Sequence, residues 1–221
     1  MSVHCDTLSL DRLGHASIRL ETMDGQVIYI DPWSEVLDEE PSDGDVVFVT
    51  HDDFDHYDPD AITAVATETA DIVVCEGVDT VELDRVVTTL PYEGSLTVAG
   101  IAAEAVPAYN RADGDHVDEN GEPFHAECEV VGLLLTIDDT TVYFPSDTDF
   151  LSAHNHLQAD VFLPPIGGHY TMDRHEAADF AESVEPDLVV PVHYDTFDAI
   201  ETDADAFADD IESRGITVEL V

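Results

Sequence analysis

An α/β fold is predicted, stacked as helix, sheet, sheet and helix, and three observations predict it. Short apolar runs rich in Val and Ile are each cut off by Gly, Pro or Asp, as buried strands are. Helical periodicity enters only after several such runs. This progression, from strands alone to strands alternating with helices, occurs twice along the 221 residues. Two such halves pack naturally sheet against sheet with their helices outside.

The first half opens with TLSLDRLG and HASIRLET about a turn at Gly14, followed by GQVIYIDP and DVVFVTHD. Asp58-Pro59-Asp60 supplies an acidic cap and an early helical proline, predicting a helix over AITAVATET, residues 61–69. DIVVCEG is the next strand, and VELDRVVTTL and SLTVAGIAAEAVPAY read as further strands about Gly94. Residues 110–129 hold Gly114, Gly121 and Pro123 without clear periodicity. A loop of that length inside a compact domain is functional or a lid.

The second half begins with VVGLLLTI and TTVYFPSDT, a hairpin about Asp138-Asp139. DVFLPPI is a strand, and MDRHEAADFAESV places Ala177, Phe180, Ala181 and Val184 on one helical face. The strand DLVVPVHY, the helix DADAFADDIESRG and the strand ITVELV complete it. A single domain over 1–221 is expected, its two pseudo-symmetric halves meeting near 110–128.

Charge excludes several partners. The chain carries 51 Asp plus Glu against 6 Lys plus Arg, a formal −45, and all the cations are Arg. With no basic footprint, neither nucleic acid nor an anionic membrane is an expected partner. Self-repulsion of this size opposes a compact state in dilute buffer, whereas at 1 M salt the Debye length shrinks to roughly 3 Å. Adaptation to a salt-rich, halophilic cytoplasm explains it. No apolar run approaches the ~20 residues of a spanning helix, and MSVHCDTLSLDRLGHAS has no signal-peptide pattern, so a cytoplasmic location is expected. Cys5, Cys75 and Cys128 are widely spaced and suggest neither disulfides nor a Cys-based zinc site. Cys75, within DIVVCEG, reads as a small buried hydrophobe.

In so acidic a chain an Asp says little, and His says more. Polar groups follow the apolar strands at Asp31-Pro32-Trp33, His51 to His56, Asn110 to His125, Ser146 to Asp149, Gly167-Gly168-His169 and His193-Tyr194-Asp195. Strands in register would gather these ends on one rim, as a metal site needs, because ligands ~2 Å from one ion come from several segments. THDDFDHYDP, Thr50 to Pro59, is the densest of them, with two His and four Asp.

His51, Asp53, Asp55 and His56 resemble, with one change, the His-x-His-x-Asp-His signature of the metallo-β-lactamase fold. PFHAECEVVGLLLTIDDTTVYFPSDTD and DLVVPVHYDTF resemble that family's later segments, in order. RLGHASIRLET and VIYIDPW resemble the opening of its branch containing ascorbate-6-phosphate lactonase, N-acyl-phosphatidylethanolamine phospholipase D and uncharacterised metal-dependent hydrolases. The resemblance implies a four-layer αββα sandwich holding two divalent ions, Zn2+ first, with Mn2+ or Fe2+ as alternatives. It assigns His51, Asp53, Asp55, His56, His125, Asp147 and His193 as ligands, Asp147 bridging, and Asp55 also as the group that orients water and takes its proton. Asp53 stands where the family has its second His, a harder, charged ligand that favours Mn2+ or Fe2+. Ser146 replaces the usual Gly.

Other residues stay open between site and scaffold. His15 and His169 are candidates for the substrate pocket or for structural turns, and Asp31 is expected to buttress the metal loop. His116 is the rival of His125, and Asp149 of Asp147. Trp33 reads equally as core or substrate platform, and His154, His156 and His175 as surface. The function expected is hydrolysis of an ester, lactone or phosphodiester of a small polar molecule. A di-iron redox protein, which the Glu of flavodiiron proteins at the Asp53 place brings to mind, and a non-catalytic metal-binding protein are the alternatives. With no Lys in the chain, a strong phosphate clamp is disfavoured, leaving only Arg111 or a metal for that task.

Overall fold

The computed structural model describes residues 2–5, 7–38 and 40–221. Among these, strands β1 (Val3–Cys5), β2 (Leu8–Gly14), β3 (Ser17–Thr22), β4 (Val27–Ile30), β5 (Gly44–Val49), β6 (Ala66–Cys75) and β7 (Val87–Leu90) form one sheet in that spatial order. The second sheet has the order β14-β13-β12-β11-β10-β9-β8, built from β8 (Ser95–Val98), β9 (Ile101–Ala108), β10 (Val130–Ile137), β11 (Thr140–Phe144), β12 (Val161–Phe162), β13 (Leu188–Val189) and β14 (Thr217–Val218). Each sheet pairs its first four strands antiparallel and its last four parallel, β4 and β11 taking part in both modes. The chain changes sheet at Pro91–Gly94, not within the 110–128 stretch expected from sequence. That stretch instead joins β9 to β10 inside the second sheet.

Side-chain alternation decides the layers. Ile28, Ile30, Val46, Phe48 and Val73 face inward and meet Leu133, Leu135, Phe144, Leu163 and Val190 of the other sheet in the central core. Their neighbours Tyr29, Val47, Val49, Ile72 and Val74 face outward beneath Ile62 and Val65 of helix α1 (Pro59–Val65). On the far side Tyr143, Phe162 and Val189 pack under Phe180 of α2 (Arg174–Val184) and Phe207 and Ile211 of α3 (Ala204–Ser213). The result is the predicted helix–sheet–sheet–helix sandwich. Cys75 lies buried in the central core as a free thiol, and burial pushes its pKa up.

Three elements differ from the sequence reading. The helix expected over 61–69 begins at Pro59 and stops at Val65, because Ala66 to Cys75 are taken into the sheet beside β5. Periodicity alone cannot separate an alanine- and threonine-rich strand from a helix tail. VELDRVVTTL forms a strand only at Val87–Leu90, with Val81 and Val86 exposed before it. SLTVAGIAAEAVPAY is two strands, turned at Ala99 (φ 47°) and Gly100 (φ 88°). Two consecutive positive φ values mark a two-residue hairpin turn whose twist matches its strands.

Candidate metal centre

The site lies where the parallel strands end. Asp31 follows β4, Thr50 and His51 follow β5, Ser146 and Asp147 come two and three residues after β11, and His193 lies four beyond β13. His15 is the turn between β2 and β3. Strand ends of both sheets meet here: the His193 amide donates to the His15 carbonyl at 2.9 Å. His15, Asp31, Ser146 and His193 all have φ between 44° and 59°. Left-handed backbone at non-glycine residues is strained and clusters at functional sites. The positive φ at Ser146 explains why Gly is usual there in the pattern that this segment resembles.

Two groups of candidate ligands share one carboxylate. In the first, His51 Nε2 lies 3.5 Å and His125 Nε2 3.3 Å from Asp53 Oδ2, and His125 Nε2 lies 3.5 Å from Asp147 Oδ2. In the second, His56 Nε2 lies 3.5 Å from Asp147 Oδ1, and His193 Nε2 lies 3.2 Å from Asp147 Oδ2. Asp55 Oδ2 is 3.0 Å from His15 Nε2, and His15, Asp55, His56 and His193 can present ligand atoms within 4.8 Å of one another.

A web of hydrogen bonds behind these imidazoles fixes which nitrogen faces the site. Asp31, fully buried, accepts from the Thr50 amide (2.9 Å), the Thr50 hydroxyl (2.6 Å) and His56 Nδ1 (2.8 Å). The Thr50 hydroxyl oxygen in turn accepts from His51 Nδ1 at 2.9 Å and from Ser146 Oγ at 2.8 Å. Asn110 Oδ1 accepts from His125 Nδ1 at 3.1 Å, and Asn110 Nδ2 donates to Asp149 at 3.0 Å. With every Nδ1 of this trio engaged behind, Nε2 of His51, His56 and His125 points forward, the arrangement by which outer partners orient metal-binding imidazoles.

These residues fit a metal. Buried polar atoms almost always find a partner, yet Nε2 of His51 and His56 are buried without a hydrogen bond. Two atoms each about 2.1 Å from one tetrahedral ion stand about 3.4 Å apart. The observed separations among His51, Asp53, His125 and Asp147, from 3.3 to 3.5 Å, match it. The field also favours positive charge. Burial opposes protonation of His56, but Asp147 and Asp31 outweigh it and raise its pKa to about 10. Burial likewise opposes ionisation of Asp147, but His193 and His56 hold it well below the carboxylate range. Asp53 is held far down by the hydrogen bond from His125 and by the nearby His51 imidazole.

Comparison with known proteins agrees. The beta-lactamase superfamily domain profile matches residues 9–193. A UPF0173 metal-dependent hydrolase of Methanosphaerula palustris is 34% identical over 209 residues, covering 90% of this chain and 89% of that protein. The chain belongs to the UPF0173 metal-dependent hydrolase family, on the metallo-β-lactamase fold. The crystal structure of a Parabacteroides distasonis protein superposes with a TM-score of 0.83 at 27% identity, covering 100% of this chain and 96% of that one. Igni18, a metallo hydrolase of Ignicoccus hospitalis, gives a TM-score of 0.79 at 26% identity over 97% and 94% of the two chains.

Within this UPF0173 chain the rival residues separate. Asp149 turns away from the centre, to Asn110, the Arg111 amide and His116 Nδ1 (2.6 Å), where it clusters with His116 and Glu176, while Asp147 lies 3.2–3.5 Å from His56, His125 and His193. His116, the rival of His125, is partly buried and pairs with Asp149 instead of joining the centre. His169 does not join the centre. It is exposed, 5.3 Å from the Phe124 ring and 4.4 Å from Tyr170. The close approach that its glycines permit is to protein: a Cβ on Gly167 would lie 2.4 Å from the His193 carbonyl oxygen. His154 is buried, not surface, with Nε2 2.8 Å from the Pro107 carbonyl. Trp33 is buried against His15 at 5.3 Å. Thr50, Ser146 and Asn110 were not singled out from sequence as supports, their only signal being a place beside a strand end.

Over the centre opens a cleft of about 480 Å3, lined by Asp53, Asp55, His125, Asp147 and His193 together with Phe54, Phe124, Tyr170 and Phe197. Its size suits a small molecule. Among the described residues no helix is long and apolar enough to cross a membrane.

Proposed function

We propose that this chain hydrolyses an ester, lactone or phosphodiester bond of a small molecule with the help of two divalent cations, Zn2+ first among them. The first would be held by His51, Asp53 and His125, the second by Asp55, His56 and His193, with Asp147 between them. One observation carries the reading: Asp147 stands between the two groups, its Oδ1 3.5 Å from His56 Nε2 and its Oδ2 3.5 Å from His125 Nε2 and 3.2 Å from His193 Nε2. Such an ion pair supplies Lewis acidity and brings the pKa of water to ~7.

The chain's own groups do the rest. Asp55 lines the cleft and is nearly buried. Burial opposes its charge, yet the His15 contact and the field of His56 keep it below the usual carboxylate range. An ionised Asp55 orients water at Oδ1 or Oδ2 and receives its proton. His15 positions that carboxylate, and burial lowers its own pKa to about 4, so it stays neutral at physiological pH. Asp53 adds oxygen and negative charge to the first group, which favours Mn2+ or Fe2+ beside Zn2+.

The experiment is metal analysis of protein purified in high salt, followed by an esterase, lactonase and phosphodiesterase panel. Activity abolished by a chelator and restored by Zn2+ or Mn2+ is expected, with His51→Ala losing metal. Turnover indifferent to chelation, or undiminished metal in His51→Ala, overturns the reading. Bound iron with dioxygen uptake and no hydrolysis would move the centre to redox chemistry.

A further inference from the structure

The cleft joins an acidic floor to aromatic walls. Phe54 and Phe197 stand with ring centroids 6.4 Å apart, backed by Trp33 at 6.0 and 5.8 Å. Phe124 and Tyr170 form a second pair, edge to face at 5.0 Å. Both pairs are tied to the reacting centre through the chain, since Phe54 lies between Asp53 and Asp55 and Phe124 precedes His125. Phe54 is 68% exposed on a surface dominated by carboxylates. Exposed apolar groups gathered at a cleft mark a binding site more than a lone surface residue does.

Cationic groups are missing from the lining. None of the cleft residues is Lys or Arg, and its charged side chains are Asp53, Asp55 and Asp147. Two guanidiniums beside the site are committed elsewhere: Arg111 lies 3.4 Å from both Asp149 and Glu176, and Arg12 donates to the His15, Tyr194 and Val221 carbonyls. A transferred phosphoryl group is normally met by such clamps, and the overall charge of −45 repels a polyanion further.

Resting on the hydrolytic reading, we propose that the substrate is an uncharged carboxylic ester or lactone bearing an aryl or bulky alkyl group that packs between these aromatic side chains. This narrows the chemistry and reverses one sequence expectation, that of a polar substrate. The reaction balances with water alone. The oxygen of water bonds to the acyl carbon, the acyl C–O bond breaks, one proton of water ends on the alcohol oxygen, and the new acid ionises. For a lactone both products remain one molecule.

The test uses the metal-loaded full-length chain at high salt, with 2-naphthyl acetate, dihydrocoumarin and bis-p-nitrophenyl phosphate as substrates. The neutral ester and lactone are expected to show the higher kcat/KM. Phe54→Ala should raise KM for 2-naphthyl acetate by about 5- to 10-fold, while Phe54→Leu, which keeps an apolar wall, retains most of the affinity. A second readout is independent of turnover. Trp33, the single tryptophan, lies against both Phe54 and Phe197, so its fluorescence should change saturably with the unhydrolysable ketone 4-phenyl-2-butanone, and more weakly in Phe54→Ala. Preference for the phosphodiester, or ketone binding unaltered in Phe54→Ala, overturns the inference and leaves hydrolysis standing. No chelator-sensitive hydrolysis of any of the three overturns the hydrolytic reading instead, and the ketone titration then decides the role of the walls alone.

Discussion

The carboxylate of Asp31 meets Nδ1 of His56 at 2.8 Å, with both side chains fully buried. The same carboxylate reaches His51 through the Thr50 hydroxyl, so one residue orients an imidazole of each ligand group.

Asp31→Ala should therefore weaken both proposed metal positions at once. Outer partners of metal-binding His are typically worth 10- to 100-fold in affinity, so a loss of about that size is expected. The Thr50 amide and hydroxyl and His56 Nδ1 would also be stranded, which costs about 1–3 kcal/mol for each buried group. Chelator competition on the folded variant measures the first effect and denaturant titration the second. Wild-type metal affinity in a folded Asp31→Ala protein would refute the hub.

Asn110 should matter to one position only. It holds His125 Nδ1, and the Asn110 side chain is anchored by Asp149 Oδ1 and the Tyr170 carbonyl, each at 3.0 Å. Asn110→Ala is expected to lower metal content toward one ion per chain, leaving the ion near His56 and His193 in place. Equal loss of both ions would show that the two groups do not fill independently.

The loop over 110–129 should loosen as pH rises. The contact with Asp149 raises the pKa of His116 above 6.5, with burial acting against it. A raised folded-state value means that the protonated form stabilises the fold. That contribution is complete below 6.5 and disappears as pH climbs through the folded value. Amide protection over the loop, corrected for intrinsic exchange, should fall as pH rises above about 6.5. His116→Gln should flatten the change, and an unaltered profile in that variant would assign it to another group.

Salt should stabilise the whole molecule. Arg19 is bound to Glu21 and Asp43, and Arg214 to Asp179 and Glu182, each at 2.8 Å, yet 6 cationic side chains cannot offset 51 acidic ones. Raising KCl from about 0.1 M to about 2 M, where the Debye length falls to a few Å, should raise the melting temperature by on the order of 10 °C. A flat response would remove halophilic adaptation as the explanation of the charge.

Sequence alone determined the layered architecture, which is written in short-range signals, and its resemblance to a known family named the candidate ligands. Alternation along VIYI and VVFV states which side chains face each way, and a His following a buried strand, as His51 and His193 do, has few places to go except a polar rim. What sequence could not decide was set by partners far along the chain. Ala66 to Thr69 leave the helix because a β5 edge is there to pair with. His169 lies exposed beside Phe124 and Tyr170, while the close approach of its neighbour Gly167 is to a carbonyl of His193. Asp149 and Asp147, two residues apart in SDTD, part company because Asn110 and His116 claim one and three imidazoles the other. The bond from Ser146 to Thr50 behind His51, and the meeting of Phe54 with Phe197, join residues roughly a hundred positions or more apart. Hydrogen bonds and ring contacts of that kind exist only once both sheets have closed on their common core, so only the tertiary structure could reveal them.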